Sequence, residues 1–558
     1  MKCLKKIFNL DPQFLCFLLV LTTIVYIFSW GGEFLSDDIM GIQLNEHMGN
    51  FTLQLKTLNI NNIYNSFIYN TFGVKPFWFH LSSTIFHLLG IIAVYVFILK
   101  LTSSLWITRL TTLLFAIHPI ETESIAWISG LSYVLYTFLA VVSLAYHLLA
   151  FEEEKQSYKY LLIANILFVF SLSSSEKAVI LPGILLAIVV FFIRPITKTL
   201  FIKIIPAITI SCIYILLRLS DVSSRIEYVN PSYGGNPTTF NPVLQIPIAI
   251  YSYIKLLLIP IGLTLYHEFT SFSQSEYYLA IAVTLITILV IIITGYIGFK
   301  KDSLLLKLIP FGLLFLIFSL GLTLLPINIA WVVAERYVHL GSIGFFLSLS
   351  AAIYVVVEKF KLNKESFYQW LFIVITPVLA ILTIRRNLQW RTQDTLWPAT
   401  VKVSPNSPLA WNNMGDYYGR HGDIKNSISA FENARKLRPG YADATHNLAN
   451  VYMQIGESTK AAELFLEATK YNPNLYQSYR SIGQIALAQK KYETAIEFFT
   501  KAAEINPDPF NEYLLLYLSY RYTNSAAAAT SLAQAEKLVN NNPQRLQAIQ
   551  QIQQPTSN

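Results

Sequence analysis

Apolar residues dominate the first 385 positions in long blocks, and polar ones take over after them. Apolar runs of roughly 16 to 24 residues lie near 14–30, 78–99, 104–118, 127–150, 158–174, 178–193, 199–217, 243–263, 277–298, 304–325, 339–358 and 367–384. Runs of this length predict membrane helices. The first follows a basic start, Met1 to Lys6, but lacks a small-x-small cleavage site and is followed by further runs, so it reads as a retained helix. Cytoplasmic loops collect Lys and Arg, which tests how many runs cross. With Lys2, Lys5 and Lys6 inside, Lys100, Lys155, Lys159, Arg194, Lys198 and Lys203 fall inside too. The clusters Lys300, Lys301, Lys307 and Lys359, Lys361, Lys364 follow only if 243–263 is re-entrant or interfacial, as Pro247, Lys255 and Pro260 permit. The expectation is about eleven crossings plus that one interfacial segment. It puts Ser36-Asp37-Asp38, His118 to Glu123, the loop from Asp221 to about Ser275, Ala334 to Tyr337 and the C-terminal region on one outer face.

From Ser407 the pattern changes to a repeat of about 34 residues. Trp411, Gly415, Tyr418, Phe431, Ala434 and Pro439 recur as Leu448, Ala449, Tyr452, Ala461, Phe465, Ala468 and Pro473, then as Gly483, Ala495, Phe499, Ala502 and Pro507. This register resembles the tetratricopeptide repeat, in which small residues let paired helices approach and large ones fill the gap. The predicted fold is therefore all-α: a polytopic membrane domain over 1–385, a linker over 386–406, a repeat solenoid over 407–543 with three clear units and a degenerate cap, and a disordered Gln-rich tail over 544–558. Stacked helix pairs form a concave groove for peptide; the alternative is a solubilising or oligomerising appendage.

Composition agrees: 54% of the 558 residues are hydrophobic and 13% charged, with a mean hydropathy of +0.47, which excludes an ordinary soluble protein. The net charge of +8 reports membrane orientation rather than nucleic-acid binding. Cys3, Cys16 and Cys212 form neither a disulfide framework nor a metal-ligand spacing, and no metal site is expected; His80 and His87, on one helix face, read as packing residues.

Ionisable residues at the membrane surface are costly and tend to line cavities. Asp37, Asp38, Glu121, Glu123, Glu176 and Arg336 gather on the predicted outer side, where a carboxylate serves as general base and a cation as phosphate stabiliser. The order of motifs resembles the C-superfamily glycosyltransferases that use polyprenyl-phosphate sugars, and within them the transmembrane and tetratricopeptide-repeat O-mannosyltransferases with their bacterial relatives. The matching stretches are Ser36-Asp37-Asp38, Pro76 to Leu81 with His87, His118 to Trp127, Glu176 with Ala178 to Pro182, Ala334-Glu335-Arg336-Tyr337, and Arg386, Trp390 and Leu396-Trp397. The resemblance implies transfer of a sugar, mannose in most relatives, from a polyprenyl-phosphate donor to Ser or Thr of an extracytoplasmic protein, with no cofactor beyond that co-substrate. It implies Asp37 as acceptor base with Asp38 as its partner, Arg336 on the donor phosphate, and His118 and Glu123 shaping the sugar or acceptor site. It also implies a prokaryotic plasma membrane, or the endoplasmic reticulum in a eukaryote.

Three departures stand out. No Arg occupies Asn61 to Lys75, where relatives carry Tyr-Arg-Pro-Leu; Leu131-Ser132-Tyr133 replaces Arg-x-Asp; and Lys-Glu becomes Ser175-Glu176 with Lys177 one place later. Lys75, Lys177 and Arg225 are the substitutes at hand, so Lys177, Glu176 and Lys75 join the donor-binding candidates. Two other classes compete: a non-enzymatic repeat scaffold, and a transporter, which the lack of internal duplication disfavours.

Overall fold

The computed structural model describes residues 11–153, 155–233, 242–267, 273–325, 332–539 and 542–553, with side chains at 219–233 and 242–244 excluded. The candidate Arg225 and the basic start with Cys3 lie outside what is described. The chain divides into two compact units, Met1–Val403 and Ser404–Asn558. Every described element is helical apart from one isolated β-bridge between His267 and Val333.

The first unit begins with α1 (Pro12–Tyr26), α2 (Phe51–Lys56), α3 (Ile60–Phe72), α4 (Pro76–Thr102), α5 (Leu105–Ile117), α6 (Thr122–Ala126), α7 (Leu131–Glu152) and α8 (Ser157–Ser174). It continues with α9 (Leu181–Phe192), α10 (Lys198–Tyr233), α11 (Pro242–Leu258), α12 (Gln274–Lys300), α13 (Leu304–Ser319), α14 (His339–Lys359), α15 (Lys364–Gln389) and α16 (Gln393–Val403). All twelve apolar runs are helices. Among the described residues eight helices are long and apolar enough to cross a membrane, which makes this an integral membrane protein. The runs at 104–118, 178–193 and 304–325 fold as α5, α9 and α13, of 13, 12 and 16 residues. At 1.5 Å per residue these reach about 18 to 24 Å against a hydrocarbon core of about 30 Å. Protein shelters them to different degrees: every α5 residue from Trp106 to Ile117 except Arg109 is buried, while Leu186 of α9 and Leu304 of α13 are exposed.

Helices α4, α7 and α14 form the middle of the unit, and α10 and α12 its lipid-facing rim. Small residues let the central helices meet. A Cβ on Gly312 of α13 would lie 2.3 Å from the Gly344 carbonyl oxygen of α14, and the Ser348 hydroxyl donates across the same contact to Ile309 O at 3.0 Å. In a lipid solvent such close approach replaces the hydrophobic drive for association.

The second unit pairs α17 (Pro408–Arg420) with α18 (Ile424–Leu437), α19 (Ala442–Gln454) with α20 (Ser458–Tyr471), α21 (Tyr476–Ala488) with α22 (Tyr492–Ile505), and α23 (Phe510–Tyr520) with α24 (Ser525–Lys537), followed by α25 (Pro543–Gln553). The repeat register is physical. A Cβ on Gly415 or Gly483 would stand 2.6 Å from the ring of Phe431 or Phe499, and Ala434, Ala468 and Ala502 are wholly buried between paired helices.

Two boundaries read from the sequence change. The segment 386–406, expected to link the domains, is mostly part of the first unit, because Trp390, Leu396 and Trp397 bury their side chains there. The tail expected to be disordered is helical as far as Gln553, because Ile549 buries itself against Phe510, Leu514 and Ala535; residues 554–558 lie outside the described set.

Replacing Gly344 by Leu is expected to lower the melting temperature in detergent by the equivalent of about 1–3 kcal/mol or to prevent folding. Gly41→Ala, where a Cβ meets nothing within 4 Å, leaves it unchanged; scanning fluorimetry compares the two.

Candidate functional site

The chain leaves α1 through a tight passage. A Cβ on Gly32 would sit 2.8 Å from His80 Nε2 of α4 and 3.0 Å from Ser29 O, so only glycine fits. Ser36 then takes a left-handed conformation, φ 52°, which sends the two aspartates to opposite environments. Asp38 is fully buried. Its carboxylate accepts from Leu35 N at 3.0 Å and Ser129 N at 2.8 Å, and from the Ser129 hydroxyl. Trp127 Nε1 donates to Leu35 O at 3.2 Å, so the loop is pinned twice to 127–129. Burial pushes the Asp38 carboxyl up to about 7 against the pull of its three donors. Asp37 is exposed and accepts from the Ser36 hydroxyl at 3.5 Å. Thus Asp38 holds the loop and Asp37 faces out from it.

The loop after α5 is buried throughout, from His118 to Ile128. His118 caps the turn at Pro119, its Nδ1 accepting from Ile120 N at 3.3 Å, and burial holds the imidazole neutral, at about 3. Glu121 pairs with His339 at the start of α14. Glu123 makes the central contact: it accepts from the Arg336 backbone N–H at 3.0 Å and from the guanidinium, both side chains being buried. The guanidinium lies 5.3 Å from the Trp127 ring and 5.0 Å from the Tyr337 ring, at cation–π range.

Lys177 packs on the other side. Its ammonium is 3.8 Å from the Tyr337 ring centroid, and burial pushes it down to about 7, opposed by Glu176 and reinforced by Arg336. Among the described residues no carboxylate forms an ion pair with it. Glu176 is exposed beside it. Lys75 is exposed at the N-terminus of α4, and no described contact joins its side chain to the cluster.

The structure therefore brings Asp37, Asp38, Glu123, Arg336 and Lys177 onto one scaffold, leaves His118 as a cap within its support, and leaves Lys75 apart. Where relatives have Arg-x-Asp, Tyr133 stands with its ring 6.0 Å from Tyr337. Sequence reading passed over a second buried group as a site: Glu335 pairs with Arg386 of α15 at 3.0 Å and lies 3.5 Å from His267. The available signal was the unlike-charged Glu335-Arg336 at the mouth of an apolar helix.

Comparison with known proteins agrees with the motifs. The family model described as Tetratricopeptide repeat matches residues 412–474 and 446–508. The chain is 25% identical over 331 residues to Protein O-mannosyl-transferase F38B6.6 of Caenorhabditis elegans, covering 59% of this chain and 46% of that one. It is 22% identical over 402 residues to Protein O-mannosyl-transferase TMTC3 of Mus musculus, covering 66% and 42%. A 157-residue match to Protein O-mannosyl-transferase TMTC2 of Homo sapiens is 28% identical and covers 26% and 18%. The chain spans less than half the length of these relatives. Among solved structures, a crystal structure of MamA protein matches with 19% identity over 27% of this chain and 83% of that one, at a TM-score of 0.24. The resemblance to the O-mannosyltransferases with tetratricopeptide repeats thus holds.

Two outcomes test the scaffold. Arg336→Met leaves Glu123 buried and unpaired and is expected to cost about 3–5 kcal/mol. The double variant Glu123→Leu/Arg336→Met costs less than the single one in thermal melts; equal or greater loss contradicts the pairing. For Asp38 the folded carboxyl titrates above the unfolded value of 3.8, so its neutral form favours folding and stability is lost as pH rises from about 4 to 7. Hydrogen exchange at the Leu35 and Ser129 amides is expected to speed up over that window beyond the intrinsic rate, and Asp38→Asn removes the slope.

Proposed function

We propose that the chain is an inverting glycosyltransferase of the extracytoplasmic membrane face, moving a sugar, mannose by analogy with the relatives' names, from a polyprenyl phosphate to a Ser or Thr hydroxyl. The observation that carries this is one exposed carboxylate, Asp37, and one buried cation, Lys177, without an ion-pair partner among the described residues, held on the scaffold that Glu123, Arg336 and Trp127 organise. The acceptor oxygen attacks C1 of the sugar and gives its proton to Asp37. The bond from C1 to the phosphate oxygen breaks, and the electron pair departs on the polyprenyl phosphate. A single displacement inverts C1. Lys177, assisted by Arg336, stabilises the growing phosphate charge, and most of the acceleration comes from positioning and electrostatics.

Arg336 enters this role already neutralised by Glu123, so the decisive cation is Lys177. That agrees with the departure at Ser175-Glu176, which moves the family's Lys by two places. The repeats are a protein-binding scaffold, and their groove supports a place for the acceptor. It holds a cavity of about 600 Å³ lined among others by His446, Asn450, Gln477, Arg480, Gln484 and Asn511, amide-rich and suited to peptide main chain.

The test is transfer of radiolabelled sugar from a panel of polyprenyl-phosphate sugars to secreted proteins of the host, with purified protein. Asp37→Asn is expected to lower the rate by about 10²-fold or more with the fold intact. Unchanged transfer removes Asp37 from the mechanism; no transfer from any donor, with partner capture by the repeats retained, leaves the scaffold reading. Burial pushes the Lys177 ammonium down to about 7, so the donor KM is expected to rise as pH climbs above 7, and Lys177→Arg to flatten that rise.

A further inference from the structure

A second polar wall runs from the same scaffold and has no part in the chemistry described so far. Trp127, which carries Arg336 on one side, stacks on Trp390 with ring centroids 6.1 Å apart. The Arg386 guanidinium lies 5.5 Å from the Trp390 ring and donates from Nη2 to Glu335 Oε1 at 3.0 Å and from Nη1 to Gln389 Oε1 at 2.8 Å. Trp390, Arg386 and Glu335 are all more than nine-tenths buried. Yet among the described residues Glu335 Oε2, Arg386 Nε and Trp390 Nε1 find no hydrogen-bond partner.

One orphaned acceptor and two orphaned donors along one contact chain is a costly arrangement, since buried polar groups are normally satisfied. What completes it must accept from an indole and a guanidinium, donate to a carboxylate, and lie against aromatic faces. A phosphate oxygen only accepts and is repelled by Glu335. A lipid tail offers neither. A pyranose offers all three, because each hydroxyl both donates and accepts and the C–H face of the ring packs on indole.

We infer that Glu335, Arg386 and Trp390 form the subsite for the sugar ring of the donor, next to the phosphate position at Arg336 and Lys177. This rests on the transferase reading and adds to it the part of the site that recognises the sugar. Glu335 receives sugar hydroxyls, Arg386 and Trp390 donate to them, and the Trp127–Trp390 pair supplies the apolar wall.

The experiment measures binding of two probes to the full chain in detergent: a short-chain polyprenyl-phosphate mannose and the same polyprenyl phosphate without sugar. Wild type is compared with Trp390→Phe, which keeps an aromatic ring and removes the N–H donor, and with Glu335→Gln, so that one conservative variant remains if the other fails to fold. The expected result is that affinity for the sugar-loaded lipid falls about tenfold or more while that for the bare lipid stays within about twofold. Equal weakening of both lipids, or an unchanged preference for the sugar-loaded one, overturns the subsite and makes the wall structural. Binding of neither lipid by wild type overturns the transferase reading and this subsite with it.

Discussion

The Glu123–Arg336 pair is the constraint around which the outer end of the membrane unit is organised. Taking either charge out of water alone would cost several kcal/mol, so each fixes the other. The two residues lie 213 positions apart, and their pairing locks the loop after α5 to the start of α14. Arg336 then positions Trp127, Trp127 holds Leu35, and Leu35 with Ser129 holds Asp38. A single buried charge contact therefore reaches, through an indole and two backbone groups, the loop that exposes Asp37.

This arrangement divides labour between neighbours of the same chemical type. Asp38 spends its hydrogen-bonding capacity on the protein, while Asp37 spends almost none. Arg336 is neutralised and structural at its Glu123 side, while Lys177, resting on the same Tyr337 ring, has no carboxylate bound to it among the described residues. Groups committed to the fold are buried and paired; the groups proposed to meet a substrate are held beside them. Such second-layer support is what keeps a site within the narrow geometry chemistry requires.

Much of this was legible in the chain. A twenty-residue apolar block has few folds open to it, so every run became a helix, and the Phe431, Phe465, Phe499 register announced the solenoid because glycine or alanine must face each ring. Crossing and helix are not the same property, however: α5 is apolar where protein surrounds it, and composition does not separate that from lipid. The segment after 385 reads as polar, yet Trp390, Leu396 and Trp397 are the residues that place it, and Gln-rich composition likewise hid Ile549. The site was legible as a set of motifs but not as a set of pairs. Which carboxylate meets which cation is decided by contacts 51 to 218 residues apart, and the split between Asp37 and Asp38 has no local signature.

The most direct test of this picture is the structure of the full chain with a polyprenyl-phosphate sugar bound, determined in a lipid nanodisc by cryo-electron microscopy. The phosphate is expected within hydrogen-bond distance of Lys177 Nζ, with the Glu123–Arg336 pair intact and Asp37 facing the anomeric carbon. A phosphate bound elsewhere, with Lys177 still resting on Tyr337, would contradict it.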